Sequence, residues 1–307
     1  NVRNIQVVRF MINVQKEKWL RGEITGDYNE CRFTEDKSAY ARKWLGWSKM
    51  DLQPDNPRNI VDRICHWKLE DIEHPDIPYI QLKSKWSDKI AVYDLLKEMG
   101  LRNICLPYEK MEYSKSFNEQ ILFELDKRPK EWKYIIKCNH GSGWNIIYTP
   151  GQTSHQMVID CMNGWLDTNY AYLSGYEVQY KWIKPGWLVQ PVMVYRPLDW
   201  SFWCENGKIE GIGLTKKCGK NLEEYIAFVN PDGKESDWFI GGEPDQTILN
   251  SKQTEILQQM KPYVEQIVKP FKFVRCDMYY MNGKVYFGEA TFTPCSGILD
   301  ITYTNKG

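Results

Sequence analysis

Two acidic residues near the end of the chain, Asp277 and Glu289, have a spacing that lets them share a cation. They lie in two runs rich in Val, Phe and Tyr that are separated by Asn282-Gly283, a strong signal for a β-hairpin. Because side chains alternate across a strand, both carboxylates can face one side of the hairpin. Facing carboxylates repel unless a cation lies between them, and a hard divalent ion with a polyphosphate is the usual occupant. The pair therefore predicts a magnesium–nucleotide site.

Basic residues that suit phosphate occur earlier in the chain. Lys137 ends an apolar strand predicted at 134–137, and the small-residue loop 139–143 follows it. A lysine that leaves an apolar strand is rarely buried without a partner, and the glycines let backbone N–H groups approach a phosphate. The Walker A pattern is absent, and a tight structural turn explains the loop at least as well when it is taken alone. Lys89 adds a second cation at a predicted helix start, where a plain helix-surface role is the simpler interpretation.

Bulk composition excludes several classes of function. The 307 residues contain 40 basic and 40 acidic side chains, so no global field recruits nucleic acid or an anionic membrane. Nine cysteines, an odd number without regular spacing, indicate a reducing compartment, and we expect a cytoplasmic location. No apolar run approaches the roughly 18–20 residues that span a bilayer.

The elements that must position these residues alternate between strands and helices, which predicts an α+β fold with helices packed on sheets. Residues 1–80 read as a loop-rich region with short helices, one of them at 37–47, and 218–250 reads as a loop without a clear element. The predicted strands are 104–107, 134–137, 144–148, 187–194, 200–205, 209–215 and the two arms of the hairpin. The predicted helices are 88–100, capped by Ser87, 117–126, 156–167 and 253–268, the last with a kink or break at Pro262.

The order of Lys89, Lys137 with its loop, Gln190 and the late acids resembles the ATP-grasp superfamily. It resembles more closely the TupA-like ATP-grasp proteins of cell-surface polysaccharide biosynthesis. The resemblance covers about 78–300, and its most specific segments are KCNHGSGWN (137–145) and GEATFTPCSG (288–297). Further matching segments are 86–96, 177–189 and 199–208.

This resemblance implies an ATP-grasp fold in which two α/β subdomains grip ATP between them. The ATP-grasp module would cover 81–307, with a lid subdomain at about 130–192 and a larger, metal-binding subdomain at about 193–307. A loop-rich N-terminal region of unclear role, 1–80, would precede it.

The resemblance also implies which residues hold the nucleotide. Lys89 and Lys137 would hold its phosphates, and the glycine-rich loop would close over them. Gln190 and Val192 would meet adenine, although Glu is more usual at the first of these positions. The full implied set is Lys89, Lys137, His140, Gly141, Ser142, Gly143, Gln190, Val192 and Asp199, the last contacting either the ribose or the acceptor. His140 serves either the structure of the loop or a contact to phosphate or acceptor.

Metal and catalytic roles follow from the same resemblance. Asp277 and Glu289 match acids that bridge Mg²⁺, and Thr291 stands where Asn is common. Arg275 matches a position that stabilises charge on an acyl phosphate or a tetrahedral intermediate. The γ-phosphate would be reached by Lys216 or Lys217, between which the sequence does not choose.

The implied activity is that of an ATP-dependent carboxylate–amine ligase that forms an amide through an acyl phosphate. Its partners would be ATP, a carboxylate acceptor such as a uronic acid of a surface-polysaccharide or capsule precursor, and an amine or amino acid. Peripheral association with membrane-bound polysaccharide machinery is compatible with this activity. One alternative is a kinase that phosphorylates such a precursor at the same site. Another is a glycan-binding protein with a degenerate nucleotide site, which the departures at Gln190 and Thr291 favour.

Overall fold

A computed structural model describes residues 36–304 except for 49, 174, 194–196, 219–221 and 242, and only the backbone at 47, 217–218 and 222–225. The helices are α1 (Lys37–Trp47), α2 (Ile60–Glu73), α3 (Ile77–Ser87), α4 (Ala91–Glu98), α5 (Gln120–Leu125), α6 (His155–Leu166) and α7 (Ser251–Val268). The strands are β1 (Lys110–Glu112), β2 (Tyr134–Cys138), β3 (Asn145–Tyr148), β4 (Trp187–Pro191), β5 (Asp199–Glu205), β6 (Lys208–Cys218), β7 (Leu222–Val229), β8 (Trp238–Ile240), β9 (Phe273–Met281), β10 (Lys284–Thr291) and β11 (Ile301–Tyr303).

The chain divides into two compact units. One unit contains Pro75–Tyr195, and the other contains Ala41–His74 with Arg196–Gly307. In the part of the chain that the structure describes, every helix is too short or too polar to cross a lipid bilayer.

The unit that contains Pro75–Tyr195 is built on an antiparallel four-stranded sheet with the order β1-β4-β2-β3. Tyr134, Ile136 and Cys138 of β2 are fully buried and share a core with Leu122 of α5 and Val158 of α6. Because strand residues alternate between faces, Lys137 lies on the face of β2 opposite this core. The strand predicted at 134–137 and the helix predicted at 156–167 are confirmed.

Two predictions for this unit are wrong. The helix expected directly after Ser87 begins only at Ala91, because α3 continues through Ser87 and the carboxylate of Asp88 accepts from the N–H of Ile90. The strand expected at 104–107 is absent, and a 3₁₀ turn occupies Arg102–Ile104.

The second unit contains an antiparallel five-stranded sheet with the order β10-β9-β5-β6-β7 and a two-stranded sheet of β8 and β11. The expectation of a loop over 218–250 is wrong, since β7 and β8 lie within it. β7 pairs with β6, and this pairing sets Glu224 opposite Lys216 in register. Because charged residues occur at the start of β7, the local sequence pattern does not predict a strand there.

Helix α7 packs its apolar face, which includes Leu257, Met260 and Val264, into the core of the same unit. A capping box formed by Asn250 and Gln253 starts this helix. The helix continues on both sides of Pro262, so the break considered at this residue does not occur.

Helix α2 belongs to this unit as well, although it precedes Pro75. Ile60, Val61 and Ile64 share a core cluster with Trp203 of β5 and Phe273 of β9. Helix α2 therefore contributes to the core of the unit that contains the five-stranded sheet.

The same helix contacts the turn after β10. The buried ammonium of Lys68 donates to the carbonyl of Ser296 at 2.9 Å, and the thiol of Cys65 donates to the carbonyl of Gly297 at 3.0 Å. In this turn Cys295 and Ser296 have φ values of 48° and 57°, in the left-handed region that non-glycine residues rarely adopt. Helix α2 therefore holds a strained turn in place.

Candidate active site

The predicted hairpin forms, and it carries the two acids. Asn282 and Gly283, with φ values of 53° and 77°, make the turn between β9 and β10. Both positive values suit a two-residue hairpin turn, which explains the Asn-Gly signal. Asp277 on β9 lies directly opposite Glu289 on β10. The expectation that these two residues face each other is confirmed.

Arg275 supplies positive charge to both acids. Its Nε lies 2.8 Å from Oδ1 of Asp277, and its Nη2 lies 2.5 Å from Oδ2. The same Nη2 is 3.7 Å from Oε1 of Glu289. Burial raises the pKa of the Asp277 carboxyl above its ordinary value, Arg275 lowers it, and the negative charge of Glu289 raises it. The site thus contains the carboxylates of Asp277 and Glu289, the first of them buried, and the guanidinium of Arg275 close to both.

Further polar residues extend this face along the sheet. Asp199 on β5 lies opposite Tyr279 on β9, two residues from Asp277. Thr291 lies opposite Arg275, and its hydroxyl is 3.5 Å from Oε1 of Glu289. The sheet therefore presents three acids, one guanidinium and a hydroxyl on one face.

The donor set of this face fits a magnesium–nucleotide complex. Mg²⁺ usually binds proteins through one or two carboxylates and keeps its other positions for waters and substrate phosphates. Asp277 and Glu289 supply two carboxylates on neighbouring strands. No group of three or more His, Cys, Asp or Glu residues suited to a metal occurs among the described residues. The two carboxylates of Asp277 and Glu289 match the way in which Mg²⁺ binds together with substrate phosphates.

The two lysines of β6 lie at successive positions near the end of that strand. Lys216 is exposed, and it is in register with Glu224 of β7. Lys217 is in register with Glu223, and its side chain lies outside the described part of the chain. Thr215, one residue earlier, lies opposite Asp199. Position 217 therefore has the same strand parity as Thr215, and position 216 has the opposite parity.

In the other unit, Lys89 contacts the predicted phosphate loop. Its Nζ donates to the carbonyl of Gly141 at 2.6 Å, and its backbone N–H donates to the carbonyl of Asn139. The buried carboxylate of Asp88 accepts from Asn139 Nδ2 and from the hydroxyl of Tyr113, both at 2.8 Å. Burial raises the pKa of Asp88, while hydrogen bonds to its carboxylate lower it. Asp88 thus fixes the turn that carries Lys89 against the loop.

Lys137 precedes the same loop by two residues. It is half-buried on β2, with Asn145 of β3 and Leu188 of β4 as its register partners. The structure therefore places one predicted phosphate lysine against the loop and the other on the strand that enters it.

His140 is a supporting residue of this loop. Its ring is buried, with Nδ1 3.0 Å from Oδ1 of Asn139 and Nε2 3.2 Å from the carbonyl of Trp165. Burial lowers its pKa to about 4, so the ring is neutral near pH 7. The geometry favours loop structure over phosphate contact for this residue.

The exposed part of the loop is Ser142 and Gly143. Gly141 lies against Trp144, since a Cβ at Gly141 would come within 2.4 Å of the Trp144 ring. The backbone of Ser142 and Gly143 is therefore the accessible surface for a ligand.

The predicted base-binding strand ends with a buried amide. Gln190 Nε2 donates to the hydroxyl of Tyr93 at 2.8 Å. Tyr93 in turn contacts the ring of Tyr108 edge-on at 5.1 Å. The N–H of Val192 donates to the carbonyl of Lys133, so this group already has a partner. Sequence reasoning missed Tyr93 and Tyr108, which no local motif distinguishes from core aromatics.

Each unit thus collects one part of the predicted set. One brings together Lys89, Lys137, His140, Gly141, Ser142, Gly143, Gln190 and Val192. The other brings together Asp199, Arg275, Asp277, Glu289 and Thr291 and also contains Lys216 and Lys217.

Comparison with known proteins gives a family match. The sequence model of the TupA-like ATPgrasp family matches residues 77–306. No curated protein sequence matches the chain.

Similar solved structures are ligases of low sequence identity. The D-alanine–D-alanine ligase of Bacillus anthracis complexed with ATP is 14% identical, with a TM-score of 0.40 over 67% of this chain and 55% of that one. The corresponding ligase of Helicobacter pylori is 16% identical, with a TM-score of 0.40 over 69% and 55%. The ATP-grasp ligase PsnB with a minimal precursor is 9% identical, with a TM-score of 0.36 over 68% and 52%. The chain spans little more than half the length of these ligases.

Proposed function

The chain belongs to the TupA-like ATP-grasp family, and we propose that it is an ATP-dependent carboxylate–amine ligase. Its expected family and its mixed helix-and-sheet ATP-grasp fold are thereby confirmed. We further propose that the carboxylate belongs to a uronic acid of a surface-polysaccharide precursor and that the amine is an amino acid or a related compound.

The observation that carries this proposal is the opposition of Asp277 and Glu289 on one hairpin, with Arg275 against both. These acids would hold Mg²⁺, with Thr291 beside Glu289. When bound, the ion supplies neutralisation of charge on the triphosphate.

The lysines of the Pro75–Tyr195 unit bind the phosphates in this proposal. Lys89 exchanges its hydrogen bond with the carbonyl of Gly141 for a phosphate oxygen, and Lys137 supplies a second ammonium. The backbone of Ser142 and Gly143 covers the phosphates. Burial lowers the pKa of His140 to about 4, although the hydrogen bond with the carbonyl of Trp165 raises it, so the neutral ring adds no further charge beneath the loop.

The chemistry needs charge stabilisation and no nucleophilic side chain. The substrate carboxylate attacks the γ-phosphorus, ADP leaves, and an acyl phosphate forms; the amine then displaces phosphate and gives an amide. Arg275 neutralises the anionic groups that meet in the first step and the oxyanion of the second. For the γ-phosphate we favour Lys217 over Lys216, because strand parity groups position 217 with Thr215 and Asp199.

We place the reaction in the cytoplasm, because it requires ATP and a reducing compartment suits the cysteines. Seven described cysteines, among them the exposed Cys295, are not joined in disulfides. Peripheral association with polysaccharide machinery at the membrane is compatible with this location.

A phosphate-release screen tests the function. Uronic acids and their sugar nucleotides are paired with amino acids, and product masses are determined. Release that requires both substrates, with an amide product that is lighter by one water than their sum, supports the ligase. A stable phosphorylated product without amine would establish the kinase instead. Nucleotide binding without turnover across the panel would favour the alternative of a glycan-binding protein with a degenerate nucleotide site.

A further inference from the structure

Strand β10 departs from regular pairing at one residue, Gly288. From the turn to Phe287 the hairpin is regular, and Phe287 lies opposite Met278. The next residue pair is Glu289 with Asp277, so Gly288 is an extra residue on β10. This irregularity is a β-bulge, a feature that often re-aims side chains beside active sites.

The bulge decides which face of the sheet receives Glu289. If the register of the turn continued, Gly288 would lie opposite Asp277, and Glu289 would lie opposite Cys276. Three β9 residues on the Cys276 face are fully buried: Val274, Cys276 and Met278. A one-residue slip exchanges the faces of a strand, so the regular hairpin would direct the Glu289 carboxylate into the apolar layer. The extra residue transfers it to the face of Asp277.

The backbone of Gly288 does not require glycine, because its φ is not positive. The requirement for glycine comes from the lack of space for a side chain. A Cβ on Gly288 would lie 2.8 Å from the carbonyl oxygen of Asp277 and 2.8 Å from Cε2 of Tyr279. The carbonyl is part of the β9 backbone, so it cannot move aside without displacing the strand that carries Asp277.

Tyr279 connects the bulge to the third acid of this face. Its ring lies against Gly288, and its hydroxyl donates to the carboxylate of Asp199, its register partner on β5. A side chain at Gly288 would therefore displace the ring that orients Asp199. Gly288 therefore affects the positions of all three carboxylates: those of Asp277 and Glu289 directly through the hairpin, and that of Asp199 through Tyr279.

We propose that Gly288 is the positioning residue that makes Asp277 and Glu289 a single site for a divalent cation bound to a nucleoside triphosphate. The inference rests on the proposed function and deepens it. Gly288 itself contacts neither the ion nor the nucleotide; it acts by setting the register of β10 and the position of Tyr279.

The test is the Gly288→Ala variant, with Mn²⁺ in place of Mg²⁺. Mn²⁺ binding in the presence of a non-hydrolysable ATP analogue is followed by electron paramagnetic resonance, and thermal unfolding is measured alongside. We expect the dissociation constant for Mn²⁺ to rise about tenfold or more, the range found when groups that orient metal ligands are lost. A crystal structure of the variant is expected to show Glu289 displaced from its position opposite Asp277.

Gly211→Ala on β6 is the matched control. A Cβ there would meet side chains of the same unit, Trp238 at 2.8 Å and Phe228 at 3.0 Å, and β6 carries none of the three acids. We expect this variant to lose thermal stability and to keep Mn²⁺ affinity within about twofold of the original protein. Equal losses of affinity in both variants would overturn the proposal, because Gly288 would then have only a general structural role.

If Gly288→Ala does not fold, the double variant Gly288→Ala/Tyr279→Leu takes its place. It removes the clash between the new Cβ and the Tyr279 ring and keeps the clash with the carbonyl of Asp277. Its reference is Tyr279→Leu alone, and the same tenfold weakening is expected between the two. Equal Mn²⁺ affinity in this pair would overturn the proposal.

The outcomes separate this inference from the function on which it rests. If the wild-type protein binds Mn²⁺ and nucleotide and the Gly288 variants bind them equally well, only the inference about Gly288 is overturned. Failure of the wild-type protein to bind them overturns the proposed function and the inference together.

Discussion

The guanidinium of Arg275 lies against both carboxylate oxygens of Asp277, with Nη2 2.5 Å from Oδ2 and Nε 2.8 Å from Oδ1. The side chains are 22% and 7% exposed, so little water screens them. Burial raises the pKa of the Asp277 carboxyl above its ordinary value, and Arg275 opposes this rise by favouring the ionised form. A divalent ion that binds here shares its carboxylate with Arg275.

The first prediction concerns Arg275→Met. Removing one partner of a buried ion pair leaves an uncompensated charge, so we expect the free energy of unfolding to fall by about 3 kcal/mol. Mg²⁺ with ATP should restore more stability to this variant than to the original protein, because the ion replaces the lost charge. Thermal unfolding with and without Mg²⁺-ATP measures both effects. Arg42→Met is the control: its partners Asp55 and Glu73 are 74% and 25% exposed, and we expect each of these pairs to contribute about 1 kcal/mol or less.

Asp277→Asn and Glu289→Gln form the second prediction. Each keeps the shape of the side chain and removes a metal-binding charge, so turnover should be lost while the fold is retained. Phosphate release and circular dichroism measure the two properties, with the exposed Glu255→Gln on α7 as the control. Turnover at the wild-type rate in either variant would show that the metal assignment is wrong.

The third prediction is that Lys137→Ala raises the ATP concentration needed for half-maximal turnover by roughly 10- to 100-fold. A hydrogen bond to a charged group contributes about 1.5–3 kcal/mol, which corresponds to a change of this size. Steady-state kinetics measure the effect, with the exposed Lys127→Ala as the control. An unchanged ATP requirement would mean that Lys137 is a structural residue of β2.

The fourth prediction uses the buried ring of His140. Its pKa is lowered from 6.5 to about 4 by burial, so the unfolded chain takes up a proton that the folded protein does not. The unfolded state binds more protons in this window, and the free energy of unfolding therefore falls as the pH falls from about 6.5 to about 4. The contribution of His140 reaches about 3 kcal/mol.

Urea unfolding at several pH values between about 4 and about 7 measures this effect. We expect His140→Gln to reduce the dependence on pH in this window, and the exposed His74→Gln to leave it unchanged. Identical pH profiles for the wild-type protein and His140→Gln would contradict the assignment of this effect to the buried ring.

The fifth prediction concerns Lys68→Met. This change removes the hydrogen bond to the carbonyl of Ser296 within a buried environment, and an unsatisfied buried acceptor costs about 1–3 kcal/mol. Urea unfolding should show a loss of this size. Lys272→Met is the control: it breaks an exposed pair with Glu70, and the change should stay within about 0.5 kcal/mol. A Lys68→Met protein as stable as this control would show that the hydrogen bond contributes nothing.

The hairpin illustrates what could and could not be predicted from the sequence. Asn282-Gly283 between two β-rich runs predicts the turn, and strand alternation allows Asp277 and Glu289 on one face. A two-residue turn in regular register, however, places Gly288 opposite Asp277. The observed pair requires the bulge, and the bulge depends on how Tyr279 and the backbone of Asp277 fit around Gly288. A local sequence pattern does not predict this packing around Gly288.

Other differences have the same origin. Residues 218–250 read as a loop because their charged and polar residues hide β7, which forms through its pairing with β6. The sequence places His140 in the loop, but it does not reveal that the ring is buried beside the distant Trp165 or that burial lowers its pKa. The family motifs locate the candidate site, whereas tertiary packing decides the state of each side chain in it.

Helix α2 lies upstream of the segment that the family pattern recognises, which begins at residue 77. A fragment cut at that boundary would keep every residue assigned to ATP or magnesium. It would also expose the apolar surface of β5 and β9 that Ile60 and Ile64 cover, and leave the carbonyls of Ser296 and Gly297 without Lys68 and Cys65. Recombinant production and domain exchange therefore need to start before Ile60, since the homologous segment alone is an incomplete folding unit.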